Sequence, residues 1–118
     1  MNEYNAQRLL VAWFDTTYPY LKSLFFAIPN GGKRDKVTAK RLKDEGVRPG
    51  IPDLMLARPC GGKNGLFLEM KTVSGRPSEA QEAAHLALRT NGYAVAMPRG
   101  YEAAREAIRG YLENGAAC

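Results

Sequence analysis

The order of helical and strand-like stretches predicts an α/β sandwich with a central mixed sheet. Three observations carry that expectation. Helical patterns and short apolar runs follow one another as helix, strand, helix, strand, strand, helix, strand, helix. Two of the apolar runs, Ile51 to Ala57 and Leu66 to Met70, flank a polar loop with Gly61, Gly62, Lys63, Asn64 and Gly65, and so read as paired strands. The run Leu24-Phe25-Phe26-Ala27-Ile28 is continuously apolar, as in a strand buried on both faces. The 118 residues form one domain, 1–118, long enough for a core without staples.

Taken in order, Asn2 caps a first helix from Glu3 to about Tyr18, with Pro19 at its end. Glu3, Gln7, Leu10 and Phe14 fall on one stripe of it, and Leu9 and Trp13 widen the apolar side. After the strand Leu24–Ile28, Pro29-Asn30-Gly31-Gly32 makes a turn whose amides suit a phosphate, though a tight turn alone explains the glycines. A basic helix spans Lys33 to Glu45 and is closed by Gly46 at C′. Only Val37, Ala39 and Leu42 look inward from it, so it is weakly anchored. The strand pair follows, and then a helix from Glu79 to Thr90. Ser78 and Gln81 have capping-box spacing at its start. Ala80, Ala83, Ala84 and Ala87 give it a small-residue face suited to packing on a sheet, and His85, the one histidine, reads as half-exposed. Tyr93 to Met97 is the last strand, and Pro98-Arg99-Gly100 a turn. Tyr101, Ala104, Ile108, Tyr111 and Leu112 recur at helical spacing, and Asn114 to Cys118 form a frayed tail.

Hydrophobic residues make up 45% and charged residues 25%, ordinary for a soluble globular chain. No apolar run approaches the ~20 residues of a membrane span, and the first residues lack a basic-then-apolar signal pattern. Cys60 and Cys118 lack metal-type spacing, so two free thiols in a reducing cytoplasm are expected. The net charge of +5 is unevenly spread. Residues 33–48 hold seven of the seventeen Lys and Arg but three of the twelve acids, a local +4 that leaves +1 elsewhere. Lys33, Arg34, Lys36, Lys40, Arg41, Lys43 and Arg48 form that patch. It suits a polyanion such as nucleic acid and, read blandly, is a solvated helix face.

The paired strands concentrate the chemistry. Side chains alternate along a strand, so Leu66, Leu68 and Met70 share one face and Phe67, Glu69 and Lys71 the other. Charged groups on otherwise apolar strands are costly unless they have a task. Pairing brings Asp53, Glu69 and Lys71 to one end. Two carboxylates there suit a hard divalent cation bound through oxygen, and the ammonium suits a water or a charged phosphate.

Asp53 after Pro52, then Glu69-Met70-Lys71, resembles the PD-(D/E)xK nuclease signature. Further stretches resemble its VRR-NUC branch: Glu3 and Gln7, Pro29 to Gly32, Glu45-Gly46-Val47-Arg48-Pro49-Gly50, Gly75, Ser78 to Gln81, and Asn91 to Val95. The resemblance runs in order from about Glu3 to Leu112. It implies a restriction-endonuclease-like α/β/α sandwich and a metal-dependent deoxyribonuclease. Asp53 and Glu69, with the Met70 carbonyl, would hold Mg²⁺ or Mn²⁺, and Lys71 would position the attacking water. It also draws Glu3 and Gln81 to the site. For Glu3 the bland reading is favourable charge at a helix N-terminus; for Gln81 it is the capping box, and one side chain seldom serves both duties at once.

The partner implied is branched or duplex DNA, four-way junctions included. Stand-alone relatives of phage type imply a homodimer cutting junctions in the cytoplasm of a bacterial or phage-infected cell. Seven of the eleven aromatics, Tyr4, Trp13, Phe14, Tyr18, Tyr20, Phe25 and Phe26, fall in the first 26 residues, more than one small core is expected to bury. The competing reading is a non-catalytic nucleic-acid-binding module of the same fold, with Asp53 and Glu69 as a buried polar network. Neither Gly-x-Gly-x-x-Gly nor a phosphate-loop lysine motif is present, which argues against a nucleotide enzyme.

Overall fold

Asn2 starts the first element: its side chain accepts from the Asn5 amide at 2.8 Å and caps helix α1 (Glu3–Thr17). The computed structural model describes residues 1–29 and 35–113. Pro19 opens a 3₁₀ turn, Pro19–Leu24, which delivers the chain into strand β1 (Phe25–Ala27). Helix α2 (Lys36–Asp44) follows, then strands β2 (Leu54–Leu56) and β3 (Leu66–Leu68), helix α3 (Glu79–Thr90), strand β4 (Ala94–Ala96) and helix α4 (Tyr101–Glu113). The expected alternation of helices and strands holds, with the 3₁₀ turn added.

The sheet order is β1-β2-β3-β4. β1 and β3 both run antiparallel to β2, with Phe25 opposite Leu56 and Leu54 opposite Leu68. α3 carries the chain across to β4, which pairs parallel with β3. The sheet is therefore mixed, and helices cover it. On one face Leu54, Leu56, Leu66, Leu68 and Met70 pack with Leu10 and Phe14 of α1 and Ala104 and Ile108 of α4 in one buried cluster. On the other, Phe67 meets Tyr93 edge-on at 5.3 Å, and α3 lies over Glu69.

Several expectations need correction. β1 is an edge strand, and of its three residues Phe25 is buried while Phe26 and Ala27 are exposed, so the run is not covered on both faces. α2 begins at Lys36, where Asp35 caps it by accepting from the Thr38 amide at 2.7 Å. The cap, and not the run of basic residues, sets the start; Lys33, Arg34 and the Asn30-Gly31-Gly32 turn lie outside the described residues. Val37 and Ala39 of α2 are exposed, and no α2 residue is fully buried. The C-terminus follows expectation: Gly46, with φ +105°, donates to the Lys43 carbonyl while Val47 donates to that of Leu42. In α3 the inward row is Gln81, Ala84, His85 and Leu88, and Ala80, Ala83 and Ala87 are exposed. The helix is rotated to put its buried histidine against the sheet, with Ala84 alone of the four alanines on that side.

Four of the seven early aromatics pack together. Phe14 touches Phe25 (centroids 4.4 Å apart) and Tyr18 (5.2 Å), and Trp13 meets Tyr18 edge-on. Tyr18 donates to Glu113 at 2.7 Å; burial and that carboxylate push its pKa to about 12. Tyr4, Tyr20 and Phe26 stay exposed. Cys60 is disulfide-bonded, against the free thiol expected. Its sulfur is buried 3.9 Å from the Leu112 carbonyl, where the end of α4 comes alongside. No described helix is long and apolar enough to cross a membrane.

Candidate functional site

β2 and β3 end where the charged residues begin. Carried one step past Leu54 and Leu68, the antiparallel register sets Asp53 beside Glu69. Backbone bonds hold both in place. The Asp53 carbonyl accepts from Ile28 at 2.8 Å, the Glu69 amide donates to Ala96 at 2.9 Å, and that of Lys71 to Pro98 at 3.2 Å. The Asp53 carboxylate accepts from the Met70 amide at 2.7 Å, which fixes its direction.

Glu69 is 4% exposed and its carboxyl shares a hydrogen bond with that of Asp53. Burial first, then the charge of Asp53 and that bond, raise its pKa to about 8. Lys71 opposes the shift and Glu3 adds to it. The pair therefore keeps a proton at neutral pH. Glu3 itself is exposed at the start of α1 and reaches the site through its field at Glu69.

Lys71 is held from α3. Its Nζ donates to Gln81 Oε1 at 2.9 Å, and the Ser78 amide donates to the same oxygen at 2.9 Å. Ser78 Oγ in turn accepts from the Gln81 amide, completing a capping box. The two duties expected to compete for Gln81 are met together, because one amide oxygen has two lone pairs. Gly50 brings α3 this close. It sits at φ +81°, and a Cβ there would lie 2.2 Å from the Ala80 carbonyl oxygen.

His85 departs furthest from expectation. It is 5% exposed, and its Nε2 lies 3.4 Å from Glu69 Oε1. Burial, then the charges of Arg89 and Lys71, lower its pKa, so the imidazole is neutral. The signal in the sequence was its position four residues after Gln81, which puts both on one helix face. Arg99, read only as part of a turn, was also missed. Its guanidinium donates to the carbonyls of Thr72 (2.9 Å), Val73 (3.1 Å) and Gly75, and shapes the loop directly after Lys71. That loop, Glu82 and Arg99 line an open cavity of about 760 Å³.

Asp53 and Glu69 suit a hard divalent cation: oxygen donors whose mutual repulsion a cation would relieve. Among the described residues no cluster of three or more His, Cys, Asp or Glu is placed to hold a metal. Such an ion would therefore complete its shell with a backbone carbonyl, water or substrate, as Mg²⁺ commonly does. Of the basic patch, Lys36, Lys40, Arg41, Lys43 and Arg48 are exposed. Lys40 pairs with Asp44 at 2.7 Å and Arg41 approaches Glu45 at 3.8 Å, so among the described residues Lys36, Lys43 and Arg48 are the cations of α2 and its exit turn outside such pairs.

A family model described as the VRR-NUC domain matches residues 1–102. A solved structure described as a VRR_NUC domain protein superposes with a TM-score of 0.85 over 98% of this chain and 91% of that one, at 23% identity, which speaks for a shared fold. No curated protein matches the sequence.

Proposed function

The chain belongs to the VRR-NUC family, a nuclease family, and from that premise we propose that it is a metal-dependent endonuclease hydrolysing DNA phosphodiester bonds, selective for branched DNA such as four-way junctions. The observation that carries the proposal is the antiparallel register that sets Asp53 beside Glu69, their carboxyls sharing a hydrogen bond with the Lys71 ammonium in the same field. Asp53, Glu69 and the Met70 carbonyl would hold Mg²⁺ or Mn²⁺. When bound, the ion supplies Lewis-acid activation of the phosphodiester. The chain's own residues do the rest. The carboxyl pair gives up its proton to become a full ligand set. Gln81 holds the Lys71 ammonium, which stabilises charge on the phosphoryl oxygens and orients the attacking water. Lys36, Lys40, Arg41, Lys43 and Arg48, with Lys33 and Arg34 preceding them in sequence, would grip the phosphate backbone.

Cleavage assays over flap, four-way junction, nicked duplex and RNA substrates, with Mg²⁺, Mn²⁺, Ca²⁺ or chelator, test this reading. Mg²⁺ or Mn²⁺ should support cutting, and Ca²⁺ binding with little turnover. Full cleavage by Asp53→Asn would sink the site assignment. The lack, among described residues, of a third acidic or histidine ligand favours a second reading, a nucleic-acid-binding module without catalysis. In it Asp53–Met70 and Glu69–His85 serve as a buried polar network, and DNA binds uncut whatever the metal. Junction cutting calls for two sites related by a two-fold axis, and we propose a homodimer closed through the exposed aromatics Tyr4, Tyr20 and Phe26.

A further inference from the structure

We infer that His85 is a positioning residue for Glu69, holding one carboxylate oxygen so that the other is left for a divalent cation; the inference rests on the site reading above. The two side chains meet largely out of solvent, His85 5% and Glu69 4% exposed. Nε2 and Oε1 are 3.4 Å apart, a long hydrogen-bond contact. A neutral imidazole has one N–H, and once Glu69 has given up its proton to a bound cation, Nε2 facing the carboxylate would carry it as donor. α3 aims the ring. The capping box at Ser78 and Gln81 fixes the helix start, and His85 follows Gln81 by four residues on the same face. One helix thus addresses both active groups, Lys71 through Gln81 and Glu69 through His85. Carboxylates and imidazoles that bind metals are commonly held by such an outer contact, and losing it typically costs about 10–100-fold in metal affinity.

The experiment is a calorimetric titration of Mn²⁺ into the full chain without nucleic acid, at one fixed pH. His85→Leu fills the space but cannot donate, and should bind Mn²⁺ about 10–100-fold more weakly. His85→Gln, whose amide nitrogen reaches the Nε2 position, should recover most of that affinity. His85→Asn, which reaches only the Nδ1 position, should not. If the leucine variant does not fold, the comparison of Gln with Asn carries the test. In DNA cleavage His85→Leu should need more Mn²⁺ for half-maximal rate and regain near wild-type turnover at saturation. Mn²⁺ affinity within twofold of wild type in the leucine and asparagine variants, or turnover lost at every Mn²⁺ concentration with affinity unchanged, would overturn the inference. Glu69→Gln is the control: were it to bind Mn²⁺ like wild type, the site reading itself would fail, and not the role of His85.

Discussion

The proton that Glu69 keeps at neutral pH governs two properties of the metal-free chain. Its carboxyl titrates near 8 in the folded chain, against 4.5 for the unperturbed group. Between those values the folded state binds more protons than the unfolded one, so stability falls as pH rises through that window. Thermal unfolding in chelator should show this decline, and Glu69→Gln, with no proton to lose, should show less of it. A cation must expel the same proton, so Mg²⁺ affinity should climb with pH up to about 8. Titration at several pH values in one ionic strength would reveal the slope. Lys71 acts at a different point. Lys71→Ala should lower kcat by about 10²–10³-fold with little change in KM, since in the proposed mechanism its charge would meet the transition state. A raised KM with kcat intact would instead make Lys71 a docking residue.

Among the elements, α3 and α2 behave as opposites. α3 is fixed at its first turn by a capping box and by Gly50 lying against Ala80. Gly50→Ala would add a Cβ at a positive φ and into the Ala80 carbonyl. The strained backbone alone costs about 1–3 kcal/mol. The variant should lose at least that in denaturant unfolding, and cleavage should fall further than stability, because Gln81 and His85 move with the helix. α2 is capped at both ends but presses no residue fully into the core, so its task is at the surface. If about four phosphates are neutralised, log K for duplex DNA should fall with log salt at a slope near −3.6. Reversing Lys36, Lys43 and Arg48 to Glu should flatten that slope and weaken all sequences alike. An unchanged slope would leave α2 as a solvated face.

For the whole molecule the question is assembly. The core takes in Phe14, Tyr18 and Phe25, with Trp13 packed against it and stacked near Arg109, 5.4 Å from the ring centroid. Tyr4, Tyr20 and Phe26 remain at 72%, 74% and 43% exposure, so they and not Trp13 or Tyr18 are the residues to change. Tyr18→Ser would break the bond to Glu113 and test folding, not association. Light scattering at micromolar concentration should give a dimer mass for the wild type. Tyr4→Ser, Tyr20→Ser and Phe26→Ser together should return it to monomer and abolish paired cuts across a junction. A monomeric wild type with single nicks would defeat the dimer and leave the metal site untouched.

By itself the sequence determined the elements, the family resemblance and the gathering of Asp53, Glu69 and Lys71 at one end of the paired strands. Capping signals are local, so Asn2, the Ser78–Gln81 box and Gly46 marked their helix ends, and the apolar runs marked the four strands, with β2 starting three residues later than its run. Asp53, Glu69 and Lys71 were legible because charge on an apolar strand needs a reason. Tertiary structure decided what surrounds them. Whether β1 is covered on both faces depends on which helices reach the sheet edge. Which row of α3 faces inward depends on its rotation against β3 and β4, and four alanines on a short helix leave that rotation open. The Glu69–His85 contact spans 16 residues and Asp53–Met70 spans 17. No local pattern encodes such distances; they arise only when a helix is laid over a sheet. The proton on Glu69 follows from the same packing, since excluded water and a neighbouring carboxylate raise its pKa, and neither is written at position 69.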